Sequence, residues 1–348
     1  MRICYDKAQF DAALGDALEA SEGHPVLLDK FLVGAVEYDV DALCDGSEVY
    51  IAGIMEHIEA AGVHSGDSTA LMPPVHLSDK NKTEVENIVT RIALKLGVVG
   101  LVNVQLAIQD GVVYIIEVNP RASRTVPYVS KATGVPVAQI ATRLMLGEKL
   151  RDVGPLNTVR EGMSFIKSPV FPWKRFAGAD IVLGPEMRST GEVMGIGRNF
   201  GEAYAKGLMG SGMALPKSGG VFLSIRDEDK HRAPNLAKKL SSMGFKLVAT
   251  GGTHRVLLEA GVESEFVYKV KEGRPDIVDS IKNGKIQLML NTPMGKKSAL
   301  DERAMRLAGL RYDVPCITTI EAADALIDAL VSLRAGDLKV VNVQELQS

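Results

Sequence analysis

Apolar and polar positions alternate from Val102 to Ile108, and the following run, Val112 to Asn119, has the β-branched and aromatic content of a second strand. Gln109-Asp110-Gly111 lies between them and reads as a hairpin turn. Side chains two apart on a strand point the same way, so Glu117 and Asn119 share a face. A two-residue Asp110-Gly111 loop would set Gln105 opposite Ile116, on the wrong face. A three-residue loop with Gly111 left-handed places Asn103 opposite Glu117 and Gln105 diagonally beside it, and this is the expected arrangement.

The same patterning predicts the rest of the chain. Val26 to Leu32 reads as an apolar strand, followed after Gly34 by the alternating run Ala35 to Ala42. Thr83 to Leu96 carries Val85, Ile88, Val89, Ile92 and Leu96 at helical spacing, with Gly97 as its stop. A second amphipathic helix is expected over Val137 to Leu150, then a return strand at Met163 to Lys167 and an irregular connector holding Pro169, Pro172 and Trp173. Leu208 to Gly220 is rich in Gly, Ser and Met and reads as a linker. Beyond it, strands over Gly220 to Ile225 and Phe245 to Thr250 alternate with helices over Lys230 to Met243 and Arg255 to Ala260. The expected fold class is therefore α/β and α+β: an antiparallel sheet with helices, then a Rossmann-like α/β unit. The domains expected are 1–207, a linker at 208–219, and 220–348.

Composition narrows the function classes. The 348 residues suit two domains, and 46% hydrophobic with 24% charged residues is ordinary for a well-cored protein. A net charge of -3 and a pI near 6.1 leave no basic footprint for nucleic acid. Cys4, Cys44 and Cys316 are widely separated and odd in number, which argues against zinc sites and a disulfide framework. Met1 to Phe10 carries charges and lacks a signal-like apolar core, and no apolar run approaches ~20 residues. A cytoplasmic protein with no membrane partner is expected.

The candidate chemistry centres on Glu117-Val118-Asn119-Pro120-Arg121. Carboxylate and amide oxygens are the hard ligands that Mg²⁺ or Mn²⁺ takes, usually alongside phosphates and water. Arg121 and Arg124 follow as phosphate forks. Taken alone, the motif also fits an exposed strand end with an Asn-Pro turn. Glu37 alone reads as a solvated strand position, His57 as a packing histidine, His64 as an exposed loop residue, and Asp67-Ser68 as a turn. Gly195-Ile196-Gly197-Arg198-Asn199-Phe200-Gly201 lacks the glycine spacing and the following βαβ unit of a dinucleotide site.

The ordered set of motifs changes that balance. Glu56-His57-Ile58-Glu59-Ala60-Ala61-Gly62-Val63-His64-Ser65-Gly66-Asp67-Ser68, then Gly100 to Gln105, Glu117 to Arg121, Arg124 to Pro136 and Leu183 to Gly195, resembles the second ATP-grasp unit of carbamoyl-phosphate synthase large subunits. The resemblance spans effectively the whole chain. It implies ATP at a site with Lys30 and Leu32 at the adenine, Glu37 at the ribose, and Gly62, Val63, His64 and Ser65 against the nucleotide. It further implies Mg²⁺ or Mn²⁺ on Gln105, Glu117 and Asn119, a catalytic charge clamp at Arg121, and K⁺ near His57. The implied reaction is ATP-dependent phosphorylation of carbamate to carbamoyl phosphate, serving arginine and pyrimidine synthesis. The implied partners are a glutaminase small subunit and the remainder of the large subunit.

The C-terminal unit carries its own resemblance. Ala249 to Thr253, Lys269, Glu272-Gly273-Arg274-Pro275 and Ile281 to Lys285 are similar to the methylglyoxal-synthase-like domain that ends such synthases. This implies allosteric binding of UMP or IMP by Ser224, Lys230, Thr250, Thr253, Lys269 and Asn291. The stretch Asn291 to Lys297 lacks a lyase's catalytic aspartate segment, so independent lyase activity is not expected. Ser168 and Cys316 stand where ornithine-responsive members carry Glu and Tyr, although Glu59, Asp67 and Thr318 remain. That departure argues against ornithine activation. About 28 residues precede Asp29, too few for the first ATP-grasp lobe, and Met1 to Asp6 resembles the point just after that lobe's glycine-rich flap. The resemblance thus implies a C-terminal portion of such a large subunit, and the alternatives are a catalytically incompetent fragment, a regulatory nucleotide-binding protein whose ATP-grasp remnant serves assembly, and another ATP-grasp carboxylate-amine ligase.

Overall fold

The structure is a computed structural model that describes residues 4, 6–154, 156, 162–175, 178–293, 299–336, 338–340 and 342–347. The expectations for Met1 to Ile3 and Tyr5, and for Met294 to Lys297, lie outside the described residues.

Helix α1 (Lys7–Ala20), capped by the Asp6 carboxylate on the Gln9 N–H at 2.8 Å, stands at the start with no buried residue. Then come β1 (Val36–Asp45), β2 (Val49–His57), β3 (Ala70–Met72), α2 (Asp79–Lys95), β4 (Val99–Gln109) and β5 (Val112–Asn119). They are followed by α3 (Val126–Thr133), α4 (Val137–Met145), β6 (Ser164–Val170), β7 (Gly191–Gly197) and α5 (Phe200–Gly210). The seven strands form one antiparallel sheet in the order β5-β4-β1-β2-β3-β6-β7.

The period-two pattern of β1 explains how this sheet is covered. Tyr38, Val40, Ala42 and Cys44 pack with Val85, Val89 and Ala93 of α2 on one face. Leu43 turns to the other face, where Leu101 of β4 meets Val129 of α3 and Ile140 and Leu144 of α4. That second cover ends before Asp41, Asp39 and Glu37, and a polar cleft opens there.

The second sheet is parallel. Its elements are β8 (Gly220–Ser224), α6 (Ala233–Ser242), β9 (Lys246–Ala249), α7 (Gly251–Glu259), β10 (Glu265–Phe266), α8 (Ile277–Lys282), β11 (Leu288–Asn291), α9 (Ala299–Arg311), β12 (Cys316–Ile317), α10 (Ile320–Ala335) and α11 (Val343–Gln347). The strand order is β10-β9-β8-β11-β12. The two units share one apolar core, in which Ile166, Tyr204 and Leu208 join Leu223, Leu236 and Leu326.

Several expectations need correcting. Val26 to Leu32 is not a strand: it hydrogen-bonds to no sheet neighbour among the described residues, and Leu27 and Leu28 are exposed. An apolar run becomes a strand only where a partner pairs its backbone. The helix expected to reach Leu150 ends at Met145, where the Leu146 N–H bonds to Thr142 and Arg143 carbonyls in a tightened last turn. The helix expected from Lys230 begins at Ala233, after a 3-10 turn over Asp227–Asp229. Helix α5 runs to Gly210, so the first three residues of the expected linker are helical.

Candidate functional site

The β4–β5 hairpin turns on two residues. Gln109 pairs with Val112, and Asp110 and Gly111 both take positive φ, 52° and 76°, the type I′ geometry that suits a right-twisted hairpin. The expected three-residue loop is therefore wrong. What rescues the register is a bulge: Leu106 pairs with Ile115 but Gln105 pairs with Glu117, leaving Ile116 as the extra residue. Gln105 is thus directly opposite Glu117, and Asn103 is opposite Asn119.

Pairing continues into β1, with Asp39 opposite Gln105 and Asp41 opposite Asn103. Two cross-strand rows result on one sheet face, Asp39–Gln105–Glu117 and Asp41–Asn103–Asn119. Such a grid of oxygen-bearing side chains would be costly in a core without partners. Here it floors a cleft of about 270 Å³, walled by residues 62–66, Ser123 to Thr125 and Pro185.

Each buried acid is accounted for. The Asp41 carboxylate accepts from Asn103 Nδ2 at 2.9 Å, Ser123 Oγ at 2.7 Å and Thr125 Oγ1 at 2.5 Å. Burial still raises its pKa to about 6 against those bonds. Asp39 lies 3.0 Å from His57 Nε2. Burial alone would raise the Asp39 pKa, but the hydrogen bond and charge of His57 outweigh it and lower it. Burial likewise opposes charge on His57, and its carboxylate neighbours overcome this and push it up to about 9. His57 Nδ1 is 3.5 Å from Glu37 Oε2 and makes no hydrogen bond among the described residues. Burial lowers the pKa of Lys167, whose ammonium donates to the Ser65 carbonyl at 2.9 Å.

Loop 62–68 lies over the grid. The Gly62 N–H donates to Glu37 Oε1 at 3.1 Å, and Gln105 Nε2 donates to Ser65 Oγ at 2.9 Å. Asp67, fully buried, accepts the Arg188 N–H at 2.8 Å and the Ser189 N–H at 2.8 Å, and the His64 N–H bonds to the Gly184 carbonyl at 2.8 Å. The loop is thereby pinned to the segment before β7.

At the open end, Asn119 Nδ2 lies 2.5 Å from Glu117 Oε1, and Arg121 Nη2 lies 3.4 Å from Asn119 Oδ1. Glu37, Gly62, Val63, His64, Ser65, Gln105, Glu117, Asn119 and Arg121 all line the cleft, so the structure gathers nine of the expected nucleotide and metal residues. Lys30 and Leu32 do not line it. Among the described residues no group of three or more His, Cys, Asp and Glu side chains is placed to hold a metal ion. The donor set on offer is one carboxylate and two amides, hard oxygens that suit Mg²⁺ or Mn²⁺ with phosphate and water completing the shell. Asp39, Asp41, Asn103, Lys167 and Thr125 were missed as cleft residues. The alternation Glu37, Asp39, Asp41 carried the signal, since period two puts all three on one face.

The second expected site lies at the carboxyl ends of β8, β9 and β11, where open parallel sheets bind ligands. Ser224, Thr250, Thr253 and Asn291 are buried there together. Thr250 Oγ1 is 3.3 Å from Ser224 Oγ, Thr253 Oγ1 accepts the Ile225 N–H at 3.0 Å, and Asn291 Nδ2 donates to the Ser224 carbonyl at 3.4 Å. Lys230 pairs with Asp227 beside the first turn of α7, and Lys269 Nζ lies 3.8 Å from Glu302. A larger cavity of about 660 Å³ sits between the units, walled by Phe171, Trp173, Tyr204, Leu208 and Met213 and including Glu59, Ser168, Cys316 and Thr318.

The profile of the carbamoyl-phosphate synthase L chain ATP-binding domain matches residues 1–153, and that of the MGS-like domain matches residues 232–318. The carbamoyl phosphate synthase large chain of Acidobacterium capsulatum is 52% identical over 354 residues, covering 100% of this chain and 32% of that protein. That of Archaeoglobus fulgidus is 47% identical, covering 99% of this chain and 32% of its own length. The chain thus spans about a third of the length of these relatives. Among solved structures, the biotin carboxylase domain of a thermophilic 2-oxoglutarate carboxylase overlaps 60% of this chain and 54% of that one, at 18% identity and a TM-score of 0.46. With an ATP-binding unit followed by an MGS-like unit and near-50% identity along its whole length, the chain belongs to the carbamoyl phosphate synthase large-chain family and corresponds to a C-terminal portion of it.

Proposed function

We propose that this chain is the carbamate-phosphorylating part of a carbamoyl phosphate synthase, binding ATP in the cleft and a nucleoside monophosphate, UMP or IMP, at the end of the parallel sheet. The observation that carries the reading is the polar grid with its two arginines: Gln105, Glu117 and Asn119 in register beside Arg121 and Arg124. Phosphoryl transfer asks a protein mainly for positioning and charge neutralisation, and no nucleophilic side chain is needed. Gln105, Glu117 and Asn119 would hold Mg²⁺ or Mn²⁺, which neutralises phosphate charge when bound. Loop 62–65 and Glu37 position the nucleotide, and Arg121 and Arg124 supply fixed positive charge at the transferring group. Buried His57 and Lys167 offset the acids of the floor. A K⁺ ion near His57 belongs to the same reading, as do Lys30 and Leu32 at the adenine.

The partners in this reading are the remainder of the large chain and a glutaminase subunit, and the setting is the cytoplasm. No helix among the described residues is long and apolar enough to cross a membrane. A second reading, nucleotide binding without turnover, is favoured by one observation: Lys30 and Leu32 lie outside the cleft lining, on a segment with no sheet partner among the described residues. The discriminating experiment is ATP formation from carbamoyl phosphate and MgADP by the purified chain. ATP above a Glu117→Ala control supports the catalytic reading. No ATP, with MgADP still bound, selects the second.

A further inference from the structure

The segment from Gly178 to Ser189 touches both units. At one end, Arg306 of α9 grips Asp180 with two parallel bonds, Nε to Oδ1 at 2.7 Å and Nη2 to Oδ2 at 2.6 Å. The third nitrogen of that guanidinium donates to Asn291 Oδ1 at 2.8 Å, at the carboxyl end of β11. Arg303 donates to the Gly178 carbonyl beside it. At the other end, the Gly184 carbonyl and the Arg188 and Ser189 amides hold loop 62–68 through His64 and Asp67. Between the two ends, the Arg188 guanidinium closes onto the Asp180 carbonyl at 2.9 Å.

We propose that Arg306 and Asp180 form a strap that couples the carboxyl end of the parallel sheet to the loop over the ATP cleft, with Asn291 as its sensing end. Arg306 is 3% exposed, and a buried guanidinium cannot lose one partner without replacing it. A ligand that draws the Asn291 amide away therefore changes what Arg306 offers Asp180. Asp180 is fixed through its carbonyl to Arg188, whose amide is held by Asp67. Glu302, 3.8 Å from both Lys269 and Arg306, ties the same guanidinium to a residue proposed to meet the effector phosphate. The identity of the effector rests on the reading above, whereas the strap does not. Asp180 is a positioning residue in this scheme, acting through the loop.

The test is hydrogen exchange on the full chain without ligand, comparing the wild type with Asp180→Asn, which keeps the shape and removes the charge. The His64, Arg188 and Ser189 amides are expected to exchange about tenfold faster in the variant, with those of β8 and α2 unchanged. Equal protection at those three amides overturns the proposal, as does a uniform loss across β8 and α2, which would mark general destabilisation. The second arm titrates MgADP with and without UMP. Where the wild type shows coupling, it should fall to about unity in Asp180→Asn, and coupling that persists overturns the strap. A wild type indifferent to UMP, with loop exchange still accelerated by the substitution, keeps the strap and removes the effector reading.

Discussion

Replacing His57 by Gln should change how stability depends on pH. The imidazole is buried between Glu37 and Asp39, and its pKa is pushed from 6.5 to about 9. A group whose folded pKa is raised contributes stability that is fully present below its unfolded pKa, here 6.5, and lost as pH climbs through about 9. The shift corresponds to about 3 kcal/mol, since each unit is worth about 1.4 kcal/mol. Urea unfolding followed by the fluorescence of Trp173, the single tryptophan, measures it. The wild type should be most favoured over His57→Gln at pH 6, and that advantage should shrink by about 3 kcal/mol by pH 10. A stability difference that stays flat to within about 0.5 kcal/mol over that range would refute the buried ion pair.

Four further substitutions have outcomes set by the geometry. Glu117→Ala should abolish metal-dependent MgADP binding while leaving the fold intact, because Glu117 is exposed at the strand end; calorimetry with and without Mg²⁺ checks it, and retained affinity removes the metal assignment. Lys269→Ala should weaken UMP binding about tenfold, whereas Thr253→Ala should both weaken UMP and cost about 1–3 kcal/mol, since it strands the buried Ile225 N–H. UMP titration and a melting curve on each variant separate the two. Gly201→Ala should destabilise by about 1–3 kcal/mol or more, because the added Cβ would sit 2.3 Å from the Asp328 carbonyl of α10; an unchanged Tm would contradict the close packing of α5 on α10.

The parts of this structure that could be read from the sequence are those fixed by local pattern. The helix at α2 and the strand–helix alternation after Gly220 each have a period and a stop signal of their own, and Asp110-Gly111 marks a hairpin though not its loop length. What escaped depended on backbone partners. Val26 to Leu32 has strand composition, but among the described residues no neighbour pairs it. The bulge at Ile116 escaped because alternation leaves a two-residue turn and a three-residue turn as the only evident registers, and an extra residue mid-strand offers a third. The grid of the cleft could have been found from Glu37, Asp39 and Asp41, which keep strict alternation within an apolar strand. Their carboxylates only make sense beside Asn103, Gln105 and His57, and that neighbourhood is tertiary.

The apolar core shared by α5 and the parallel sheet bears on how the molecule comes apart. Residues 211–219 join the two units in sequence, yet Tyr204 and Leu208 are buried in one cluster with Leu223, Leu236 and Leu326. A protease cut in that stretch would nick the chain without releasing a soluble half. The fragments would stay associated and melt in a single transition, and neither half expressed alone would keep its buried face dry.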